Sequence, residues 1–162
     1  MEAAVLALLW GRPRRVLLVR KSCRLPSYWS CDIALPGGHI RRSEDPVSAA
    51  LREAWEEACV HPGMVRVWGV VGIEYTRVRR IPVWIVAGEP RGPLCPRPCS
   101  EEVDAVFWAP LRLAAMPTGR VEHPARGLTV EGYRLAGGVL WGATLRILRR
   151  LLEVYGDDGP KM

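Results

Sequence analysis

Two short apolar runs rich in valine and leucine, Ala3 to Trp10 and Arg15 to Arg20, flank Gly11-Arg12-Pro13 and predict a pair of strands joined by a turn. Leu25 to Asp32 is irregular, and Ile33 to Leu35 reads as a short strand ending in Pro36-Gly37-Gly38. A helix follows with clear punctuation. Asp45 suits the N-cap, Pro46 the first helical position, and the run to Cys59 is dominated by Ala, Leu, Arg and Glu before His61-Pro62-Gly63 stops it. Strands are expected at Val65 to Tyr75, Ile81 to Ala87, Val103 to Trp108 and Leu128 to Leu135. The Pro/Gly-rich stretch Gly88 to Ser100 and the stretch Gly119 to Gly127 read as loops, and Pro110 to Met116 as a short helical piece. Leu140 to Tyr155, apolar at Leu140, Leu145, Leu148 and Leu152, reads as a closing helix. This irregular alternation predicts an α/β (α+β) fold in which a mixed sheet carries helices on its faces. One domain over residues 1–155 is expected, with a flexible tail over 156–162.

Composition narrows the function classes. No run approaches a membrane span, and Ala3 to Trp10 follows Glu2 rather than a basic stretch, so neither a membrane partner nor a signal peptide is expected and the location read is cytoplasmic. The formal net charge of +6 comes almost wholly from arginine, Lys21 and Lys161 being the only lysines. Arginine offers a planar fork of donors that matches phosphate. The arginines are scattered from Arg12 to Arg150 rather than clustered among aromatics, which argues for a small anionic partner and against nucleic acid. The five cysteines show no C-x-x-C spacing and predict no zinc site, and the sequence leaves open a disulfide between Cys95 and Cys99. It also leaves homodimerisation open.

The chemistry concentrates on the first long helix, where Glu53, Glu56 and Glu57 stand at i, i+3 and i+4 on one face. Such carboxylates repel, and the face wants either solvent or a hard cation such as magnesium, which takes oxygen ligands from a few carboxylates, water and phosphate. A glutamate-rich face is ordinarily a solvated surface. The wider spacing overturns that ordinary reading. Gly38, five residues, Glu44, seven residues, then Arg52-Glu53-Ala54-Trp55-Glu56-Glu57 resembles the Nudix box, preceded by the usual lead-in Leu35-Pro36-Gly37-Gly38. Six spaced identities by chance are on the order of 10⁻⁷ at one starting point.

The resemblance implies the Nudix fold and a loop-helix-loop that binds Mg²⁺ or Mn²⁺. It makes Glu53, Glu56 and Glu57 the metal ligands, Glu44 the acidic residue before the helix, Arg52 the arginine that orients the carboxylates, and Gly38 the glycine whose backbone lies beside the metal. One position departs, because the family's glycine near the helix end is Cys59 here, and the aliphatic position after Glu53 is the small Ala54. The implied reaction is attack of water on a pyrophosphate bond of a nucleoside diphosphate derivative. The proton acceptor is Glu56 or Glu57, or a glutamate from a later loop, for which Glu101 or Glu102 is the candidate, Glu102 being preferred.

Leu17-Leu18-Val19-Arg20-Lys21-Ser22 with Arg24, and Trp141-Gly142-Ala143-Thr144 near the end, resemble segments of the family's coenzyme A pyrophosphatases, with a longer spacing from Arg20 to Pro36 and Leu35 in place of a phenylalanine. On that resemblance Arg20 and Arg24 bind substrate phosphates, while Trp29, Tyr75 and Trp84 are candidates to stack on adenine. The alternatives are ADP-ribose, a dinucleoside polyphosphate or an oxidised nucleotide as substrate, or a Nudix-fold nucleotide-binding regulator without catalysis.

Overall fold

The computed structural model describes residues 1–24, 26 and 29–158. Leu25, Ser27 and Tyr28 of the irregular segment and residues 159–162 of the expected tail lie outside the described residues.

The strand β1 (Ala3–Trp10) is the axis of the molecule. It pairs in parallel with β6 (Pro82–Pro90) and antiparallel with β4 (Gly37–His39), and its last two residues pair with the start of β2 (Arg15–Lys21). β2 in turn pairs with β3 (Ile33–Ala34) and along its length with β7 (Val103–Pro110), while β5 (Val65–Tyr75) closes the far edge beside β6. The result is a mixed seven-stranded sheet.

Alternation along β1 explains why its sequence is a continuous apolar run. Ala4, Leu6 and Leu8 join Leu17, Val19 and Val86 against helix α1 (Pro46–Ala58), whereas Ala7 and Leu9 join Val16, Leu18 and Ile85 against helix α2 (Gly142–Tyr155). Both faces are covered, so no position on the strand is free to be polar.

α1 meets the sheet through Ala49, Ala50, Ala54 and Ala58, all fully or almost fully buried. Small side chains let the helix backbone approach the strands closely, which accounts for Ala54 where a larger aliphatic residue was the expected pattern. The N-terminus is capped as the sequence predicts: Asp45 accepts from the Ser48 amide at 2.8 Å, with Pro46 in the first turn.

Three elements differ from expectation. The stretch Gly119 to Gly127, expected as a loop, contains β8 (Gly119–His123), which pairs with β9 (Leu128–Leu135). Its polar, weakly alternating sequence hides a strand stabilised by the hairpin rather than by burial. The expected closing helix begins two residues later than Leu140. Gly138–Trp141 forms β10, paired to β9 through a turn in which Ala136 and Gly137 both have positive φ. The apolar Val139 and Leu140 suit a buried strand as well as a helix, and periodicity over four residues does not separate the two. Finally, Pro36-Gly37-Gly38 does not end the strand system, since Gly37 to His39 pair with Val5 to Ala3.

Candidate functional site

β4 and α1 bring the box together. Gly38 packs so tightly that a Cβ built on it would lie 2.6 Å from Glu53 Oε1, so only glycine admits the Glu53 carboxylate there. Arg52 organises the outer carboxylates. Its Nε and Nη2 form a fork on Glu44 at 2.8 and 3.0 Å, Nη1 donates to Glu53 Oε1 at 3.0 Å and approaches Glu56 Oε2 at 3.3 Å, and Nη2 also donates to the His39 carbonyl at 3.1 Å. The hydrogen bonds from Arg52, then the Arg41 amide, hold the Glu44 carboxyl down at about 2. Glu44 first, then Glu53, raise the proton affinity of the Arg52 guanidinium, which stays charged.

Glu57 has a different environment. It is 3% exposed, its Oε1 accepts from the Gly37 amide at 2.8 Å, and its Oε2 pairs with the Lys21 ammonium. Burial pushes its carboxyl above the ordinary range, with Lys21 and the Gly37 amide pulling the other way. Lys21 stands on the face of β2 that also carries Arg15, Leu17 and Val19, the side toward α1, and its ammonium is the one that reaches Glu57. The sequence carried one signal for it: a lone lysine in the body of a chain that otherwise uses arginine.

Among the described residues no three of His, Cys, Asp and Glu form a ready-made cage for a cation. The carboxylates are instead divided between Arg52 and Lys21. The donor set nevertheless fits a hard divalent ion: Glu53, Glu56 and Glu57 offer only oxygens from one helical face, Gly38 leaves space beside Glu53, and magnesium needs few protein ligands because water and phosphate complete its shell.

The other expected residues fall out differently. Arg20 and Arg24 converge on Asp104, at 3.8 and 3.0 Å, and Arg20 also donates to the Ala136 carbonyl at 2.8 Å. Arg20 lies on the face of β2 opposite Lys21, against Gly137 and Gly138. Arg24 is largely exposed. Glu101 and Glu102 occupy an exposed turn before β7, and the Glu102 carbonyl accepts from the Ser22 amide at 2.8 Å, which sets this turn beside Lys21. Trp84 packs in the α1-side core and donates to Glu2, while Trp29 and Tyr75 are exposed.

The cysteines require a correction. Cys99 is bonded to Cys59, not to Cys95, which is free and exposed, and a second bond joins Cys23 to Cys31. Cys59 sits at the C-cap of α1 with φ 57°, the left-handed conformation in which glycine is at ease, which is why the family's glycine belongs there. The amides of Arg97 and Cys99 donate to the carbonyls of Ala58 and Glu57 at 3.1 and 3.0 Å, so the proline-rich loop is sewn to the helix end directly behind the carboxylates. Local spacing could not reveal a partner 40 residues away.

Asp32 was also missed. It receives Trp141 Nε1 at 2.9 Å, His123 Nε2 at 2.6 Å and Arg126 Nη2 at 3.4 Å. The Ala125 amide donates to His123 Nδ1, which leaves Nε2 as the protonated nitrogen facing Asp32. Gly142 has φ +59°, so the Trp141-Gly142 pair has an architectural task at the start of α2.

Comparison with known proteins shows the family. The family model for the NUDIX domain matches residues 1–128. The human mitochondrial coenzyme A diphosphatase NUDT8 is 38% identical over 91% of this chain, which spans 66% of that protein's length. The Nudix hydrolase NudL of Escherichia coli is 32% identical, over 96% of this chain and 83% of that protein. Among solved structures, the Nudix hydrolase RenU of M. Smegmatis superposes with a TM-score of 0.61 at 22% identity, covering 94% of this chain and 86% of that one. The NUDIX domain of Shewanella oneidensis NrtR, complexed with ADP ribose, gives 0.59 at 19% identity with 94% and 86% covered. These two likenesses concern the fold.

Proposed function

The chain belongs to the Nudix hydrolase family, and from that premise we propose that residues 1–155 act as a metal-dependent pyrophosphohydrolase on coenzyme A or an acyl derivative, giving 3′,5′-ADP and a phosphopantetheine product. The observation that carries the substrate is the 38% identity to a coenzyme A diphosphatase over 91% of this chain. The Trp141-Gly142 segment adds less, because its indole and its positive φ serve the fold.

In this reading Glu53, Glu56 and Glu57 hold Mg²⁺ or Mn²⁺. The ion, when bound, neutralises charge that develops on the phosphate oxygens. Arg52 aligns Glu44, Glu53 and Glu56, and Gly38 lets the Glu53 carboxylate seat against β4. Glu102, on a turn fastened to Ser22, takes the proton of the attacking water, since the exposed side chain is free to swing toward the carboxylate end of α1. Arg24, largely exposed and held to Asp104, binds a phosphate remote from the reacting bond.

A substrate panel tests the proposal. Coenzyme A, dephospho-coenzyme A and ADP-ribose are compared by specificity constant with Mg²⁺ and with chelator, and coenzyme A is expected to lead, with no turnover in chelator. Neutralising Arg24 should raise KM more than it lowers kcat. Faster hydrolysis of ADP-ribose than of both coenzyme A forms overturns the substrate while leaving the chemistry in place. The family reading also admits a cytoplasmic setting, and no helix among the described residues is long and apolar enough to cross a membrane.

A further inference from the structure

At the end of β1 remote from the box, a cavity of about 430 Å³ opens between the β1–β2 turn and strands β5 and β6, lined chiefly by Leu9, Trp10, Arg12, Arg14, Trp68 and Glu89. The box is fixed to the other end, where Ala3 to Val5 pair with His39 to Gly37. At the usual rise of a strand the cavity is roughly 17 Å along β1 from it.

Arg14 makes this a built site. The residue is 5% exposed, its guanidinium carbon lies 5.4 Å from the centroid of the Trp68 ring and 5.8 Å from that of Tyr155, and its buried Nε has no hydrogen-bond partner. Among the described residues no carboxylate forms an ion pair with it: Glu89 pairs with Arg66 at 3.6 Å, and Asp157 engages the Arg14 amide through its carbonyl at 2.6 Å. A buried cation without a counter-ion is costly. Burial, then the like charge of Arg12, holds the Arg14 proton affinity below the ordinary arginine range against the opposing fields of Glu89, Tyr155 and Asp157. At the rim, Arg12 adds a second, exposed guanidinium, and the Trp10 indole is 52% exposed.

We propose that this cavity is a second ligand site, independent of the box, for a small anion joined to a planar ring, of the class of a nucleoside monophosphate. The phosphate lies toward Arg14 and Arg12, where charge-assisted bonds are available, and the ring lies against Trp68, with Trp10, whose indole also meets that of Trp108 at 5.9 Å, at the rim. The two indoles favour a ring-bearing anion over bare phosphate. Glu89 on the same wall disfavours the higher charge of a polyphosphate.

Calorimetric titration of the full chain in chelator, with AMP, adenosine and inorganic phosphate as probes, tests this site. AMP should bind saturably in the submillimolar range, with adenosine and phosphate each at least tenfold weaker. Arg12→Ser and Trp10→Ala alter exposed side chains and should weaken AMP at least tenfold and several-fold while the variants still melt cooperatively; Glu56→Gln should leave the affinity unchanged. Absence of saturable binding, an affinity indifferent to both cavity variants, loss of binding in Glu56→Gln, or adenosine or phosphate matching AMP would each overturn the assignment.

Discussion

The two ends of the carboxylate array on and just before α1 use the same functional group under opposite conditions. On the outer side, Glu44, Glu53 and Glu56 share one arginine, and Glu44 is held near 2 because Arg52 grips it in a fork at the protein surface. On the inner side, Glu57 faces a single lysine from β2 in a buried setting, and its proton affinity rises despite the ion pair. The difference teaches that a neighbouring cation does not by itself fix the protonation of a carboxylate; desolvation decides which influence prevails. It also divides the site into outer carboxylates gathered on Arg52 and an inner, buried carboxylate whose proton affinity is raised.

The strongest way to break this comparison is to remove a ligand charge while preserving shape. Glu57→Gln and Glu56→Gln should each lower turnover by about 10² to 10⁴-fold with the fold intact, as should excess chelator on the unaltered chain. Full activity of both variants at saturating substrate, measured beside their thermal melts, would remove the metal assignment. Lys21→Met sharpens the inner side. With its cation gone, Glu57 keeps the burial that raises its proton affinity and loses the charge that lowers it, so the acidic limb of the pH–rate profile should move to higher pH. An unmoved limb would show that Glu57 does not govern it.

Cys59→Gly probes the seam between helix and loop, with a sign that depends on redox conditions. Glycine relieves the left-handed backbone, but the bond closing a 40-residue separation is lost, so under oxidising conditions the melting free energy should fall by about 2 to 4 kcal/mol. In reductant the same variant should match or exceed the parent chain, with turnover within a few-fold in both cases. The smallest effect belongs to the outer cluster. A carboxyl depressed in the folded state stabilises it above the unfolded value and loses that contribution as pH falls toward about 2. Glu44→Gln should therefore lower Tm by about 2 to 4 °C near neutral pH and flatten the decline between pH 4.5 and 2.

Legibility followed the range of the interactions. The N-cap at Asp45, the alternation of β1 and the i, i+3, i+4 carboxylates are local, and the sequence displays them directly. The partners that complete the site are distant in the chain: Lys21 for Glu57, Gly37 for the same carboxylate, Cys99 for Cys59. Arg20 and Lys21 are adjacent in the sequence yet lie on opposite faces, because a shift of one residue along β2 carries a side chain to the other face, and it is Lys21 that turns toward α1. β8 escaped because it has no apolar pattern of its own, and β10 because a run of four residues reads equally as strand or helix; both pair with β9.

The convergence of Trp141, His123 and Arg126 on Asp32 has a mechanical reading. Among the described residues the three-stranded sheet β8–β10 and the seven-stranded sheet share no ladder beyond the single bridge between Asp32 and Val139, and with Arg20 bonded to the Ala136 carbonyl this carboxylate rivets the two plates. Any opening that lifts the hairpin must strip Asp32 of its donors and expose the buried His123 at the same moment. Amide protons of β9 should therefore exchange in step with those of β2 rather than through a separate local opening, and Asp32→Ala should uncouple the two sets without touching the carboxylates of α1.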